Sequence, residues 1–245
     1  MISLYDIGPT THPGTQVTGA SPFTRIIIFI LRYKKLPFEI VPIAFTDIER
    51  VAKEVGAAPT LTFSSTTKYT VPFMKDSTTG KIISDSPAIA QYLDEAYPNT
   101  PPVIPKDSLV LQRAFLHDAI NHIRNAYVMA IRPRLTSHFP KDYQEFAEAN
   151  QVTRPTPEEV SEAFRDGKAQ FTNFNGILNG GAPLREFVMG GKPTFADFGL
   201  AAFIYPAKFL YGVESDEWKE MRTWANGWVG WLVDRVDEVI AVQSS

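Results

Sequence analysis

Two serine–proline pairs are the features of this sequence best suited to binding an anion. Ser21 precedes Pro22, and Ser86 precedes Pro87. Serine is a preferred N-cap and proline fits the first helical position, so each pair predicts the start of a helix. The free N–H groups and the dipole of a helix N-terminus stabilise a bound anion. Each serine could therefore help to hold an anion, or it could only cap its helix.

Metal and thiol chemistry have little support in the sequence. The absence of cysteine excludes disulfide frameworks, cysteine nucleophiles, iron–sulfur clusters and cysteine–zinc sites. The four histidines show no i, i+4 pair and no carboxylate pattern of a zinc or iron site: His12, His117, His122 and His138. We therefore predict no metal. A chain without cysteine fits a reducing compartment, and we expect a cytoplasmic protein.

Two further side-chain patterns have a structural and a functional interpretation. His117, Asn121 and Asn125 recur every four residues, which places them on one side of a helix. We expect a solvent-facing or interhelical stripe, and the alternative is a wall of a substrate cleft. Trp224, Trp228 and Trp231 are predicted to share a helical face, where we expect core packing rather than an aromatic wall for a ligand.

Composition and charge exclude several classes of protein. The 245 residues are 44% hydrophobic, enough to bury the core of one large domain or two small ones. Since 27 acidic residues face 24 basic ones, the chain lacks the basic surplus that nucleic-acid binding requires. The longest apolar run, residues 26–31, is far shorter than the roughly 18 residues of a membrane span, and no signal segment opens the chain. We expect no nucleic-acid or membrane partner.

Prolines divide the chain into two parts. Pro98, Pro101, Pro102 and Pro105 predict a linker at 98–107 between domains at 1–97 and 108–245. The first part reads as mixed α/β, with strands at 2–7, 38–43, 70–74 and 81–84 and helices at 22–35, 46–55 and 87–97. The second part reads as all-helical, with helices at 108–132, 141–149, 157–178, 195–211 and 218–240. Stops or turns are predicted at Arg132-Pro133, Asn179-Gly180-Gly181 and Gly190-Gly191.

The segment 26–30 is ambiguous, because its β-branched and aromatic residues favour a strand. Its flanks favour a helix. Ser21 and Pro22 form a start signal, and Arg32, Lys34 and Lys35 suit a C-terminal turn. We predict a buried helix.

Four local motifs together resemble the glutathione transferase family over essentially the whole chain. They are Ser21-Pro22-Phe23, Val71-Pro72, Asp85-Ser86 and Thr194-Phe195-Ala196-Asp197. The resemblance implies a thioredoxin-like N-terminal domain and a C-terminal helical bundle. The opening 2–6, the loop 8–19 and the segment 38–42 are most similar to the etherase-related branch, which includes a fungal serine-type class and bacterial β-etherases.

The resemblance implies roles for the motif residues in binding glutathione. Ser21 would donate a hydrogen bond to the glutathione sulfur and favour the nucleophilic thiolate, with Thr18 and Thr24 as nearby alternatives. Val71 and Pro72 resemble the family's cis-proline turn, whose backbone pairs with the cysteinyl part of glutathione like an added strand. The alternative is an ordinary proline at the first residue of a strand.

The remaining motif residues would hold the ends of glutathione or support the fold. Asp85 would bind the γ-glutamyl ammonium, and Ser86, as N-cap, would present N–H groups to the γ-glutamyl carboxylate. Lys68 could pair with the glycyl carboxylate or could be a solvated loop residue. Residues 194–197 form a capping-box variant whose expected role is in folding.

We therefore predict a glutathione S-transferase that acts on hydrophobic, aromatic electrophiles, and the resemblance implies a homodimer. One alternative is a glutathione-dependent β-etherase acting on lignin-type aryl ethers. Another is a non-catalytic, ligandin-like protein that binds aromatic or polyphenolic metabolites, and a third is a fold that serves only protein assembly. The branches that form a mixed disulfide with glutathione are disfavoured, because this chain has no cysteine.

Overall fold

The computed structural model describes residues 1–61, 66–149, 155–180 and 186–241. Its N-terminal half contains six strands: β1 (Ile2–Ile7), β2 (Phe38–Ile43), β3 (Thr60–Leu61), β4 (Thr67–Lys68), β5 (Phe73–Asp76) and β6 (Ile82–Ser84). Four of them form one sheet in the order β2-β1-β5-β6, and β3 pairs with β4 separately. β1 runs parallel to β2 and antiparallel to β5, which is antiparallel to β6. The alternate residues Ile2, Leu4 and Asp6 of β1 are buried.

The described part of the N-terminal half also contains the α-helices α1 (Pro13–Thr18), α2 (Pro22–Tyr33), α3 (Ile48–Val55) and α4 (Ser86–Ala96). The prediction of a buried helix at 26–30 is confirmed, because these residues lie within α2 and are fully buried. α2 contacts β1 and α4 on one side and helices of the C-terminal half on the other, so residues 26–31 are buried all around the helix. Tertiary packing therefore overrides the strand propensity of the isoleucines.

Some boundaries in this half differ from the predicted ones. The strand predicted at 70–74 begins only at Phe73, since Pro72 has no N–H to donate to a strand ladder. The short helix α1 was not expected in the loop 8–19. His12 caps α1 by accepting a hydrogen bond from the Gly14 N–H at its ring Nδ1, 3.0 Å away. The helix predicted at 46–55 begins with a short 3-10 turn, Phe45–Asp47, ahead of α3.

The C-terminal half contains the helices α5 (Leu109–Ala126), α6 (Arg132–Thr136), α7 (Lys141–Ala149), α8 (Pro157–Leu178), α9 (Phe195–Tyr211), α10 (Asp216–Arg222) and α11 (Trp228–Ile240). The predicted fold class, a thioredoxin-like N-terminal domain with a helical C-terminal domain, is confirmed. Among the described residues, no helix combines the length and apolarity needed to cross a membrane.

The stop predicted at Arg132-Pro133 is wrong. α5 continues through a π turn, Tyr127–Ile131, directly into α6. Pro133 lies in the first turn of α6, where the missing N–H costs little. Of the other predicted breakers, Asn179 and Gly180 follow the end of α8, Gly190 and Gly191 precede α9, and Gly181 lies outside the described residues.

The single helix predicted at 218–240 is also wrong. It is divided into α10 and α11, because Ala225, Asn226 and Gly227 all have positive φ angles, of 52°, 57° and 88°. Trp224 therefore precedes α11 instead of sharing a face with Trp228. The expected core role holds for both tryptophans, which are fully buried.

One apolar core connects the two halves. It includes residues 26–31 of α2 together with Leu200, Ala201 and Ile204 of α9 and Val233 of α11. The buried guanidinium of Arg25 adds a polar connection, since it donates to the carbonyl oxygens of Gly19 and Ala202 at 2.6 and 2.7 Å. The N-terminus of α2 is thereby fixed against α9.

Candidate functional site

Ser21 is the N-cap of α2, as predicted. Its Oγ accepts a hydrogen bond from the Phe23 N–H at 3.3 Å, and its backbone is extended, as an N-cap requires. Because Oγ is the acceptor in this contact, the hydroxyl proton is left to point away from the helix. Ser21 is therefore placed to donate a hydrogen bond to a group that lies in front of α2.

A buried carboxylate of β1 holds the loop that leads into α2. Asp6 accepts hydrogen bonds from the Ala20 N–H at 2.6 Å, the Ser21 N–H at 3.3 Å and the Thr24 hydroxyl at 2.8 Å. Burial raises the pKa of Asp6 to about 6, and these hydrogen bonds oppose the increase only in part. The position of Ser21 thus depends on a residue in the centre of the sheet.

Ser21 lines a cavity of about 480 Å³ between the two halves, called here the serine cavity. Aromatic side chains supply much of its wall: Phe23, Tyr127, Phe139, Tyr143 and Phe203. Its polar lining includes His117, Asn121, Arg124 and Arg132, which come from the continuous path of α5, the π turn and α6. The cavity can hold an aromatic molecule directly beside the Ser21 hydroxyl.

The two threonines that were alternatives to Ser21 have other hydrogen-bond partners. The Thr18 hydroxyl donates to the Gly14 carbonyl oxygen at 2.7 Å and accepts from the Arg25 Nε–H at 3.3 Å. The Thr24 hydroxyl donates to Asp6. Neither threonine lines the serine cavity. Of these three residues, Ser21 is therefore the one that lines the cavity.

Val71, Pro72, Asp85 and Ser86 lie together in a second cavity of about 490 Å³, called here the proline cavity. The Val71-Pro72 peptide bond is cis. The Asp85 N–H donates to the Pro72 carbonyl oxygen at 3.2 Å, which brings the two motifs side by side. The backbone N–H and C=O of Val71 make no hydrogen bond within the described ranges, so both can pair with an extended ligand.

The proline cavity has one charged group of each sign. Burial raises the pKa of Asp85, and the nearby guanidinium of Arg113 acts in the opposite direction. Arg113 lines the same cavity from α5. A ligand that carries an ammonium and a carboxylate at one end matches this pair.

The cap at this site differs from the prediction. Asp85, with φ of 78°, occupies the N-cap position, and Ser86 is the first residue of α4. Ser86 is buried and lines the proline cavity. The observed N-cap lies only one residue before the predicted one, so the N-terminus of α4 still lies at the predicted site.

Lys68 was also predicted as a site residue, but it does not lie with the other predicted residues. It is exposed on β4 and lines neither cavity.

His117 is shared by both cavities, together with Phe23 and Ile120, so the two cavities form one continuous groove. Asn121 also lines the serine cavity, whereas Asn125 lies outside it. Part of the polar stripe on α5 therefore faces the cleft, contrary to the expectation of a solvent-facing or interhelical stripe.

Sequence reasoning missed Asp6 and Arg113. Asp6 lies 15 positions before Ser21, and Arg113 belongs to the other half of the chain. No local motif marks either residue, because both reach the site only through tertiary packing. The inward-facing position of Asp6 on an apolar strand was the one available signal, since a buried carboxylate needs partners.

The motif at 194–197 has a structural role in this arrangement. Asp197 is fully buried and accepts hydrogen bonds from the N–H of Val188 and from the N–H and hydroxyl of Thr194, at 2.7 to 2.9 Å. Burial raises the pKa of Asp197 to about 6. The carboxylate fixes the start of α9 and lies outside both cavities.

In the described part of the chain, no cluster of three or more histidine, aspartate and glutamate side chains could hold a metal ion.

Comparison with known proteins gives a consistent result for both halves. Residues 18–101 match the family model described as glutathione S-transferase, N-terminal domain, and residues 110–238 match the one described as glutathione S-transferase, C-terminal domain. A glutathione S-transferase-like protein of Aspergillus flavus, ustS, is 27% identical over 238 residues, which cover 89% of this chain and 83% of that protein.

Solved structures of fungal proteins are similar over their full length. A glutathione S-transferase of Ceriporiopsis subvermispora in complex with glutathione is 28% identical, with a TM-score of 0.84 over 100% of this chain and 99% of that one. The glutathione transferase GSTFuA3 of Phanerochaete chrysosporium is 26% identical, with a TM-score of 0.81 over 100% and 98% of the two chains.

Proposed function

The chain belongs to the glutathione S-transferase family, and we propose that Ser21 activates glutathione in it for attack on a hydrophobic, aromatic electrophile. The observation that carries this proposal is the position of Ser21, which caps α2 and lines a large cavity together with aromatic side chains. The alternative hydroxyls of Thr18 and Thr24 are engaged elsewhere.

Glutathione would bind in the proline cavity. Its cysteinyl backbone would pair with the N–H and C=O of Val71, beside Pro72, as an added strand. Its γ-glutamyl end carries an ammonium and a carboxylate, which match Asp85 and Arg113, and the N-terminus of α4 at Ser86 adds free N–H groups. Lys68 is not included in the proposed site, because it lies outside the cavity. Glutathione seated in this way places its thiol near Phe23, where the two cavities meet.

Ser21 would stabilise the thiolate by donating its hydroxyl hydrogen to the sulfur. A hydrogen bond to a charged group is worth about 1.5 to 3 kcal/mol, which corresponds to roughly one to two pKa units. The dipole of α2 acts in the same direction, because Ser21 lies at its positive end. A thiol with an ordinary pKa of about 8.5 would then be substantially ionised near neutral pH.

The reaction would be a nucleophilic attack within the serine cavity. The thiolate sulfur forms a bond to the electrophilic carbon. With an aryl halide the halide then leaves with its electron pair, whereas an isothiocyanate has no leaving group, and its nitrogen takes the electron pair of the C=N bond and a proton from solvent. Phe23, Phe139 and Phe203 would hold the aromatic ring of the co-substrate and exclude water. The proton released from the thiol passes to solvent.

A conjugation assay with three types of electrophile tests this proposal. The panel contains an activated aryl halide, a benzyl isothiocyanate and a β-aryl ether ketone, each assayed with glutathione. Wild-type protein should conjugate the first two. Ser21→Ala should lower kcat/KM at least about tenfold, since one or more pKa units of thiol activation are lost.

The control for this assay is Ser161→Ala, which removes an exposed serine hydroxyl of α8 far from both cavities and should leave kcat/KM unchanged. Turnover of the β-aryl ether ketone alone would identify an etherase instead. Tight binding of aromatic molecules without conjugation, insensitive to Ser21→Ala, would support a carrier.

We also propose that the protein is a homodimer, as family membership implies. Val110 and Leu111, at the start of α5, are 77% and 67% exposed, which is a reason to expect that another surface covers them. Sedimentation velocity should show twice the mass of one chain. A monomer at all concentrations would contradict the proposal.

A further inference from the structure

We propose that the serine cavity selects aromatic electrophiles that carry a carboxylate, and that Arg124 and Arg132 bind this carboxylate. The inference rests on the proposed function, because it names the substrate class of the same cavity.

The lining of the serine cavity is positively charged. Among the residues that the structure describes, this lining contains the guanidinium groups of Arg124 and Arg132 and no aspartate or glutamate. Neither guanidinium makes a salt bridge or hydrogen bond within the described part of the chain, whereas Arg50 and Arg222 both pair with carboxylates. Arg124 is exposed and Arg132 is half-buried at the wall of the cavity, and a guanidinium binds a carboxylate well, because its planar fork donates two parallel hydrogen bonds.

The π turn places both arginines on the same wall. Arg124 lies on α5 before the turn, and Arg132 is the first residue of α6 after it. A π turn holds more residues than an α-helical turn, so the helix rotates less per residue through 127–131. His117, Asn121, Arg124 and Arg132 therefore all line one cavity along one continuous helical path.

The rest of the cavity suits an aromatic ring rather than a small anion. Phe23, Phe139 and Phe203 line it from α2, from the segment after α6 and from α9. Burial raises the pKa of Tyr127 to about 12, so this phenol is neutral near pH 7 and does not compete as an anion for the arginines. A ring with a carboxylate at one edge matches both sets of side chains.

The matched ligands are two glutathione conjugates that differ only in charge. A fluoronitrobenzoate reacts with glutathione when the thiolate sulfur bonds to the ring carbon and fluoride leaves with the electron pair. The corresponding fluoronitrobenzamide gives a neutral conjugate of nearly the same shape. Titration calorimetry of the two conjugates measures the preference of the cavity as a ratio of Kd values.

Wild-type protein should bind the acid conjugate at least about tenfold more tightly than the amide, as expected for charge-assisted hydrogen bonds. The double variant Arg124→Gln, Arg132→Gln should bring the ratio close to one. The control variant is Arg165→Gln, which removes an exposed guanidinium of α8 outside the cavity and should keep the wild-type ratio.

Two results would overturn the inference: a ratio near one in the wild type, or a ratio that the double variant leaves unchanged. Titration with glutathione alone distinguishes a failure of this inference from a failure of the proposed function. If glutathione does not bind, the proposed function fails, and the ratio of the two conjugates still reports on the arginines. If the double variant weakens glutathione and both conjugates equally, the arginines serve glutathione itself and the inference is wrong.

Discussion

Asp6 connects the centre of the sheet to the proposed catalytic serine. Its carboxylate is within hydrogen-bond distance of two N–H groups and one hydroxyl around the start of α2. Despite these donors, burial keeps its pKa well above the ordinary value of 3.8, at about 6. Asp6 is a positioning residue for Ser21, because it lines neither cavity.

The raised pKa of Asp6 predicts the direction of a pH effect on stability. Since the carboxyl binds its proton more tightly in the folded state than in the unfolded state, its contribution to stability is complete below about pH 4 and is lost as pH rises through about 6. Relative to Asp6→Asn, the wild-type free energy of unfolding should fall by up to about 3 kcal/mol across this range. Urea denaturation at several pH values measures the difference.

Asp166→Asn is the control, because it removes an exposed carboxylate from α8. Its stability should change with pH in parallel with the wild type. A difference between wild type and Asp6→Asn that is constant with pH, or that grows in favour of the wild type as pH rises, would disprove the account of Asp6.

At the scale of residues, the sequence was informative where a local pattern marks a position. The N-cap position of Ser21 could be predicted, because an N-cap is recognised from the residues that follow it. Val71, Pro72, Asp85 and Ser86 could be predicted through the family motifs, and the structure places all four in one cavity. Arg113 could not be predicted, because its contact with the site depends on how α5 packs against the N-terminal half.

The position of α5 depends on close contact with α9. Gly199 on α9 faces Leu116 on α5, and a Cβ atom at position 199 would overlap the Leu116 side chain. Leu116 directly precedes His117, which lines both cavities. A change in the spacing between these two helices would therefore move a wall of the groove.

Gly199→Ala should destabilise the protein by about 1 to 3 kcal/mol, because overpacking forces the buried Leu116 or the helices to move. Gly176→Ala on α8 is the matched control, since a Cβ atom there meets nothing within 4 Å. Alanine favours a helix over glycine, so the control should be neutral or more stable by up to about 1 kcal/mol. Thermal unfolding of the two variants, monitored by circular dichroism, measures the difference in their stability. Equal effects of both substitutions would show that the contact does not constrain α5.

At the scale of elements, the sequence predicted the order and type of the long elements but not how they join. Pro133 was interpreted as a helix stop, yet in the first turn of α6 it prolongs the helical path. Asn226-Gly227 is a turn signal that the helical spacing of the neighbouring apolar residues concealed, so α10 and α11 were predicted as one helix. Both errors arise because local periodicity does not report backbone angles.

At the scale of the whole molecule, the groove exists only where the two halves meet. The N-terminal half contributes Ser21, Val71 and Asp85, and the C-terminal half contributes Arg113 and His117. The shared core around α2 and α9 holds these halves together, and Arg25 of α2 adds hydrogen bonds to Gly19 in the N-terminal half and to Ala202 on α9. Under the proposed function, the sites for glutathione and for the electrophile therefore form only in the assembled chain and not in either half.

The most direct test of the central claim is the pKa of the glutathione thiol bound to the protein, followed by the ultraviolet absorbance of the thiolate as pH is varied. In the wild type and in Ser161→Ala, the bound thiol should have a pKa about one to two units below the ordinary value of about 8.5. In Ser21→Ala, the pKa should return toward that value. A bound thiol with an ordinary pKa in the wild type, or with the same lowered pKa in Ser21→Ala, would contradict the role assigned to Ser21.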